Sequence, residues 1–148
     1  MSHSPTENLR ARLASLAEPG RLLEEIFANA PVALQIYDRS GRCVLVNAAH
    51  TALFGAVPPD EYNVFEDNLL VERGMVDLVK RAFAGERMTI PAIWYDIREL
   101  RNLPRDTDVS GGRRISIGAE MMLGRMTSGR PGSCVQICPS VGCSFGWK

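Results

Sequence analysis

Residues 44–55 read Val44-Leu45-Val46-Asn47-Ala48-Ala49-His50-Thr51-Ala52-Leu53-Phe54-Gly55. The first three have the aliphatic, β-branched character of a strand, and the Ala-rich run after Asn47 has that of a short helix. Asn is a preferred N-cap, because its side-chain oxygen can accept from a free amide of the first helical turn. The sequence therefore predicts that Asn47 turns the chain from strand to helix, and that Gly55 ends a helix over 48–54.

Upstream, the runs 32–37 and 42–46 are both β-rich and flank Asp38-Arg39-Ser40-Gly41, a hairpin signal with Gly placed for a positive φ angle. Before them, Leu9, Leu13 and Leu16 recur as a one-sided helical stripe. Pro19-Gly20 interrupts it, and Leu22, Leu23, Ile26 and Phe27 mark a second helical run. The stripe has to be covered, by the domain's own sheet or by a partner's matching helix, and the sequence leaves both open.

Downstream, Val57-Pro58-Pro59 forces an extended stretch, and 60–74 is polar and irregular, with one-turn helices expected. Met75, Leu78, Val79 and Phe83 share one face of a helix ending at Gly85. Three further β-rich runs follow, at 89–100, 113–123 and 134–138, separated by loops dense in turn residues. Hairpins at both ends with helices bunched between them predict an antiparallel α+β domain, since a doubly wound fold would alternate β and α throughout.

The bulk composition narrows the function. In 148 residues, 17 basic side chains balance 17 acidic ones, with no basic run, which speaks against a nucleic-acid partner. No stretch approaches the ~20 apolar residues of a membrane span, and the start lacks the apolar core of an export signal, so a cytoplasmic location is expected. In a reducing compartment Cys43, Cys134, Cys138 and Cys143 are expected to be thiols. The last three give a spacing that matches no zinc pattern, and no metal site is expected. Within a strand, Cys134 and Cys138 would share a face.

The element order, with a strand closing in Asn, a small-residue helix and Phe-Gly, resembles the PAS domain of bacterial signalling proteins. The register of the resemblance runs over residues 22–61 through Asp38, Gly41, Asn47, Ala48, Phe54, Gly55 and Glu61. It implies a five-stranded antiparallel sheet with helices on one face and an N-terminal flanking helix. The implied layout is a flanking helix over 1–20, a sensor domain over 21–139 and an irregular tail over 140–148. It also implies a sensory or interaction role, relayed through flanking helices and dimerisation, with Leu9, Leu13 and Leu16 as the dimer stripe. The tail departs from the family, having neither the Asp-aliphatic-Thr motif nor a signalling helix. A stand-alone sensor, an excised part of a histidine kinase or regulator, and a truncated product with a foreign tail are all compatible.

Chemical readings are weaker. His50 stands on the short helix, whereas haem-binding relatives draw their axial histidine from the longer central helix, which here has none. A solvated or hydrogen-bonded imidazole is the expected role. No cysteine falls in the Asn-Cys-Arg-Phe-Leu motif of photoactive relatives, which speaks against a covalent flavin. The cofactor is left unknown. No nucleophile elbow, phosphate loop or catalytic triad can be read, and no catalytic residue is assigned. For a small ligand, the inward candidates are Leu34, Ile36, Phe54, Phe65, Met75, Val79, Phe83, Trp94, Ile117 and Ile137, with Tyr95 or Gln136 as polar fixtures. The same residues would serve as core. The rival readings are a small α+β enzyme with an apolar pocket, of the hot-dog or cone-like barrel type, and a dimerisation module without a cavity.

Overall fold

Asn47 does what its position demands. In the computed structural model, which describes residues 5–125 and 131–138, Asn47 is the extended N-cap of a helix over Ala48–Phe54, accepting from the His50 amide at 3.0 Å. The helix ends at Gly55, whose φ of +80° lies in the left-handed region. The same asparagine also ties down the end of α2 and the entry to β1. Its Oδ1 also accepts from Leu34 N (2.9 Å), and its Nδ2 donates to Phe27 O (3.1 Å) and Val32 O (2.9 Å).

Around this junction the chain runs α1 (Pro5–Ala14), α2 (Pro19–Asn29), β1 (Ala33–Tyr37), β2 (Cys43–Val46), α3 (Ala48–Phe54), a 3₁₀ turn (Val64–Glu66), α4 (Asn68–Glu72), α5 (Val76–Phe83), β3 (Met88–Tyr95), a second 3₁₀ turn (Ile97–Glu99), β4 (Ile115–Arg125) and β5 (Pro131–Cys138). Pro19 opens α2 rather than ending a helix, as suits a residue whose missing N–H is dispensable in a first turn. One five-stranded antiparallel sheet forms in the order β2-β1-β5-β4-β3, so β1 and β5, far apart in sequence, lie side by side. The predicted α+β architecture is therefore present. β5 begins at Pro131, three residues earlier than its Cys134–Cys138 core suggests. The tail 140–148, with Cys143, and His3 lie outside the described residues.

The β1–β2 turn is fastened at both levels. Asp38 Oδ1 accepts from Ser40 N, Ser40 Oγ and Arg42 N. Gly41, at φ +89°, gives its carbonyl to Val64 N, and a side chain there would meet Asn63 and the Phe65 ring at 2.6 Å. The hairpin thus docks onto the first 3₁₀ turn.

Helices α3, α4 and α5 cover one face of the sheet, where Ala33, Gln35 and Tyr37 of β1, Ile117, Ala119 and Met121 of β4, and Cys134 and Cys138 of β5 are buried with Val79 and Ala82 of α5. Cys134 and Cys138 do share that face and, with half-buried Cys43, are free thiols. The phase of two strands corrects the expectation, however. Leu34 and Ile36 point away from the helices, because β1 buries its Ala-Gln-Tyr set instead. Ile137 pairs with Leu34 and lies with it on the outer face, since Gln136 and Cys138 on either side belong to the inner one. Trp94 is also outward, 45% exposed under the Arg114 guanidinium, while Tyr95 turns in. A register shift between Ile90 and Ile93, at Pro91, sets that phase, as expected where a strand residue lacks its N–H.

No helix among the described residues is long and apolar enough to cross a membrane. No group of three or more His, Cys, Asp or Glu side chains among them is placed to hold a metal ion.

Candidate ligand cavity

Between the inner sheet face, α3 and the loops beyond lies a cavity of about 60 Å³. One water needs only ~10–15 Å³, so several waters or a small organic molecule fit. Its mouth is framed by Val57-Pro58-Pro59 and by Leu100, Leu103 and Thr107, which are exposed or half-buried. The junction residues set its walls. Asn47 orients α3 so that buried His50 and Phe54 face the sheet. Gly55 holds the far loop close, because its backbone packs on the Gly111 carbonyl so tightly that a Cβ would collide with it.

The floor is polar. Tyr62 and Tyr95 both donate to Asp67 Oδ2, at 2.8 and 2.6 Å, while Asp67 Oδ1 caps α4 by accepting from Leu69 N and Leu70 N. Tyr37 donates to Gln136 Oε1 at 2.8 Å, and Gln136 Nε2 donates in turn to Cys138 Sγ. His50 Nε2 lies 3.1 Å from Gln35 Oε1, an acceptor, so Nε2 is the donor and Nδ1 carries the lone pair. Nδ1 is buried and has no hydrogen-bond partner among the described residues. The imidazole stacks on Phe54 at 4.4 Å, and Phe54 meets Tyr95 edge-on at 5.6 Å.

The electrostatics follow from burial. With little water around its ring, His50 is harder to charge, and its pKa falls from 6.5 to about 4, so it is neutral at pH 7. Burial likewise pushes Tyr37, Tyr62 and Tyr95 well above the usual phenol value. The Cys134 and Cys138 thiols rise to about 11 for the same reason and stay protonated. Among the described residues no Lys or Arg lines the cavity.

Of the twelve ligand candidates drawn from the sequence, the cavity takes in Phe54, Tyr95, Ile117 and Gln136. Phe65, Met75, Val79 and Phe83 instead build the neighbouring core under α5, where the Phe65 and Phe83 rings meet at 4.7 Å. Leu34, Ile36, Trp94 and Ile137 are on the wrong face. Sequence reasoning missed Gln35, Tyr37, Tyr62 and Asp67, and gave His50 no place in the site. The one available signal was the alternation within Ala33-Leu34-Gln35-Ile36-Tyr37, which puts Gln35 and Tyr37 on a common face. Of the residues carrying the family resemblance, Asp38, Gly41, Asn47 and Gly55 are structural, and Glu61 is exposed beside the mouth.

No family model matches the chain, and no curated protein matches it. Solved structures do. The PAS domain of an HTR-like protein from Haloarcula marismortui is 19% identical over 85% of this chain and 100% of that one, with a TM-score of 0.57. A domain of a sensory box sensor histidine kinase/response regulator from Geobacter sulfurreducens is 16% identical over 81% and 92%, with a TM-score of 0.51. An RNA-binding light-oxygen-voltage receptor is 18% identical over 82% of this chain and 32% of that one, with a TM-score of 0.56. At such identities the likeness is one of fold.

Proposed function

On the premise that this chain has the PAS fold, we propose that it is a sensory module of signal transduction that binds a small molecule in the cavity behind α3. The observation that carries this reading is the cavity itself, mostly apolar with a hydrogen-bonding floor, placed where a bound molecule would touch the sheet and α3 together. A ligand that prefers one arrangement of those walls shifts the population toward it, and this is the whole of the mechanism required. The module has no enzymatic activity of its own in this reading; any kinase activity belongs to an output domain of a larger regulator. A cytoplasmic setting fits its unpaired thiols.

Self-association through the N-terminal helices completes the proposal, with a second copy of the chain as the partner. Exposure supports a partner for the stripe: Leu9 is 56% exposed and Leu16 is exposed, while Leu13 is half-buried, and Leu22, Leu23 and Ile26 of the second helical run are exposed as well. Two like stripes can cover each other. The variant with Leu9→Asp, Leu13→Asp and Leu16→Asp is expected to elute as a monomer on size exclusion where the native chain elutes as a dimer. A dimer in both removes the stripe from the interface.

Native mass spectrometry and an absorbance spectrum of the purified protein test the sensory reading. A co-purifying small molecule, released on denaturation, is expected. An empty protein whose cavity amides answer no small molecule in a fragment screen would favour a dimerisation module instead.

A further inference from the structure

The cavity's polar groups are not arranged evenly between donors and acceptors. The hydroxyl protons of Tyr37, Tyr62 and Tyr95, three residues of the cavity wall, are all committed to protein acceptors, so these oxygens have only lone pairs left to offer. Asp67 adds a carboxylate, and no Lys or Arg among the described residues stands in the wall to balance it. His50, only 3% exposed, contributes a ring nitrogen with nothing to accept from. Buried acceptors of this kind are satisfied only by a donor brought in from outside. A second anion placed beside Asp67, without a counter-charge, would be strongly disfavoured.

We propose that the cavity selects a small non-acidic organic molecule with an apolar body and an N–H or O–H group, and that His50 Nδ1 accepts the hydrogen bond from that group. The apolar body lies against Phe54, Ile117 and the Leu100–Leu103 side of the mouth, which supply the non-polar wall. Carboxylates and phosphates are rejected. Because the imidazole is held neutral by its burial, the lone pair is available throughout the physiological range. The inference rests on the sensory-cavity reading and deepens it by naming the ligand class.

Pyrrole and furan make the test, since the two rings match in size and differ in the N–H donor, and acetate supplies the anion. Each is titrated into the full chain, uniformly labelled with nitrogen-15, while the amides of Phe54 and Ile117 and the ring nitrogens of His50 are followed by NMR. Pyrrole is expected to bind about tenfold more tightly than furan, the step worth one neutral hydrogen bond. It should also move the His50 Nδ1 resonance away from the free lone-pair position, which furan should not. Acetate should leave the cavity amides unmoved. In His50→Phe the two rings should bind alike. Equal binding of pyrrole and furan to the native chain, an unmoved Nδ1 resonance, or acetate binding as well as pyrrole would each overturn donor recognition while leaving the cavity standing. If neither ring perturbs the cavity amides, the sensory-cavity reading falls and takes this inference with it.

Discussion

Asn47 shows how much one side chain can organise. Its amide joins the end of α2, the entry to β1 and the first turn of α3 through four hydrogen bonds from a site only 3% exposed. Asn47→Ala leaves two carbonyls and two amides short of partners, and is expected to lower the unfolding free energy by about 2–4 kcal/mol in urea titrations. Asn47→Asp keeps the acceptor and loses the donors, so it should fall between alanine and the native residue. The role was legible because capping is local: a helix start needs an acceptor at that position whatever surrounds it. Gly55 and Asp38 were legible for the same reason. His50 was not, because its burial and its bond to Gln35 depend on a strand that precedes it by a whole hairpin. Its titration gives a second prediction. The native ring resists protonation until about pH 4, whereas the unfolded ring takes a proton near 6.5, so the unfolded state binds more protons between those values. Stability is complete above pH 6.5 and declines as the pH falls toward 4, by about 3 kcal/mol in all at ~1.4 kcal/mol per pH unit. Urea midpoints at pH 7, 6 and 5 should show the decline, and His50→Gln should flatten it.

The elements themselves were readable from periodicity, but the phase of the strands was not. In Ala33-Leu34-Gln35-Ile36-Tyr37 the larger aliphatic residues form one face and a small residue, an amide and a phenol form the other. Sorting by hydrophobicity alone turns Leu34 and Ile36 inward. The chain does the reverse, because both faces of this sheet are apolar enough to be stable and the polar set finds partners inside: Gln35 with His50, and Tyr37 with Gln136. That inversion gives the cavity its hydrogen-bonding floor, which is why most of the floor escaped a reading based on apolar pattern. Turn chemistry was more transparent. Gly41 was expected to need a positive φ, and the structure adds a second demand, the close approach of Asn63 and Phe65. Gly41→Ala meets both the left-handed strain and the clash. It should cost about 1–3 kcal/mol on denaturation.

At the scale of the whole molecule, the strand order β2-β1-β5-β4-β3 places the last strand in the middle of the sheet. Element order and hairpin signals announced an antiparallel sheet, and family resemblance announced its five strands; the pairing of Leu34 with Ile137 could be seen only in coordinates. A chain stopped after Arg125 keeps the β1–β2 hairpin and the β3–β4 pair but loses the strand that hydrogen-bonds to both. Two-stranded hairpins are marginal by themselves. That fragment is expected to lack a cooperative thermal transition and to be cut rapidly by protease, whereas the full chain should melt in one step, as circular dichroism and limited proteolysis would show.

The late arrival of β5 also sets a timetable for the cell. At about 5–20 residues per second, the ribosome delivers Ile137 some 5–20 s after Leu34. Throughout that interval the nascent polypeptide carries two sticky half-sheets, each with a raw, unpaired edge. A chaperone able to shield strand edges for seconds would therefore influence how many copies reach the finished state.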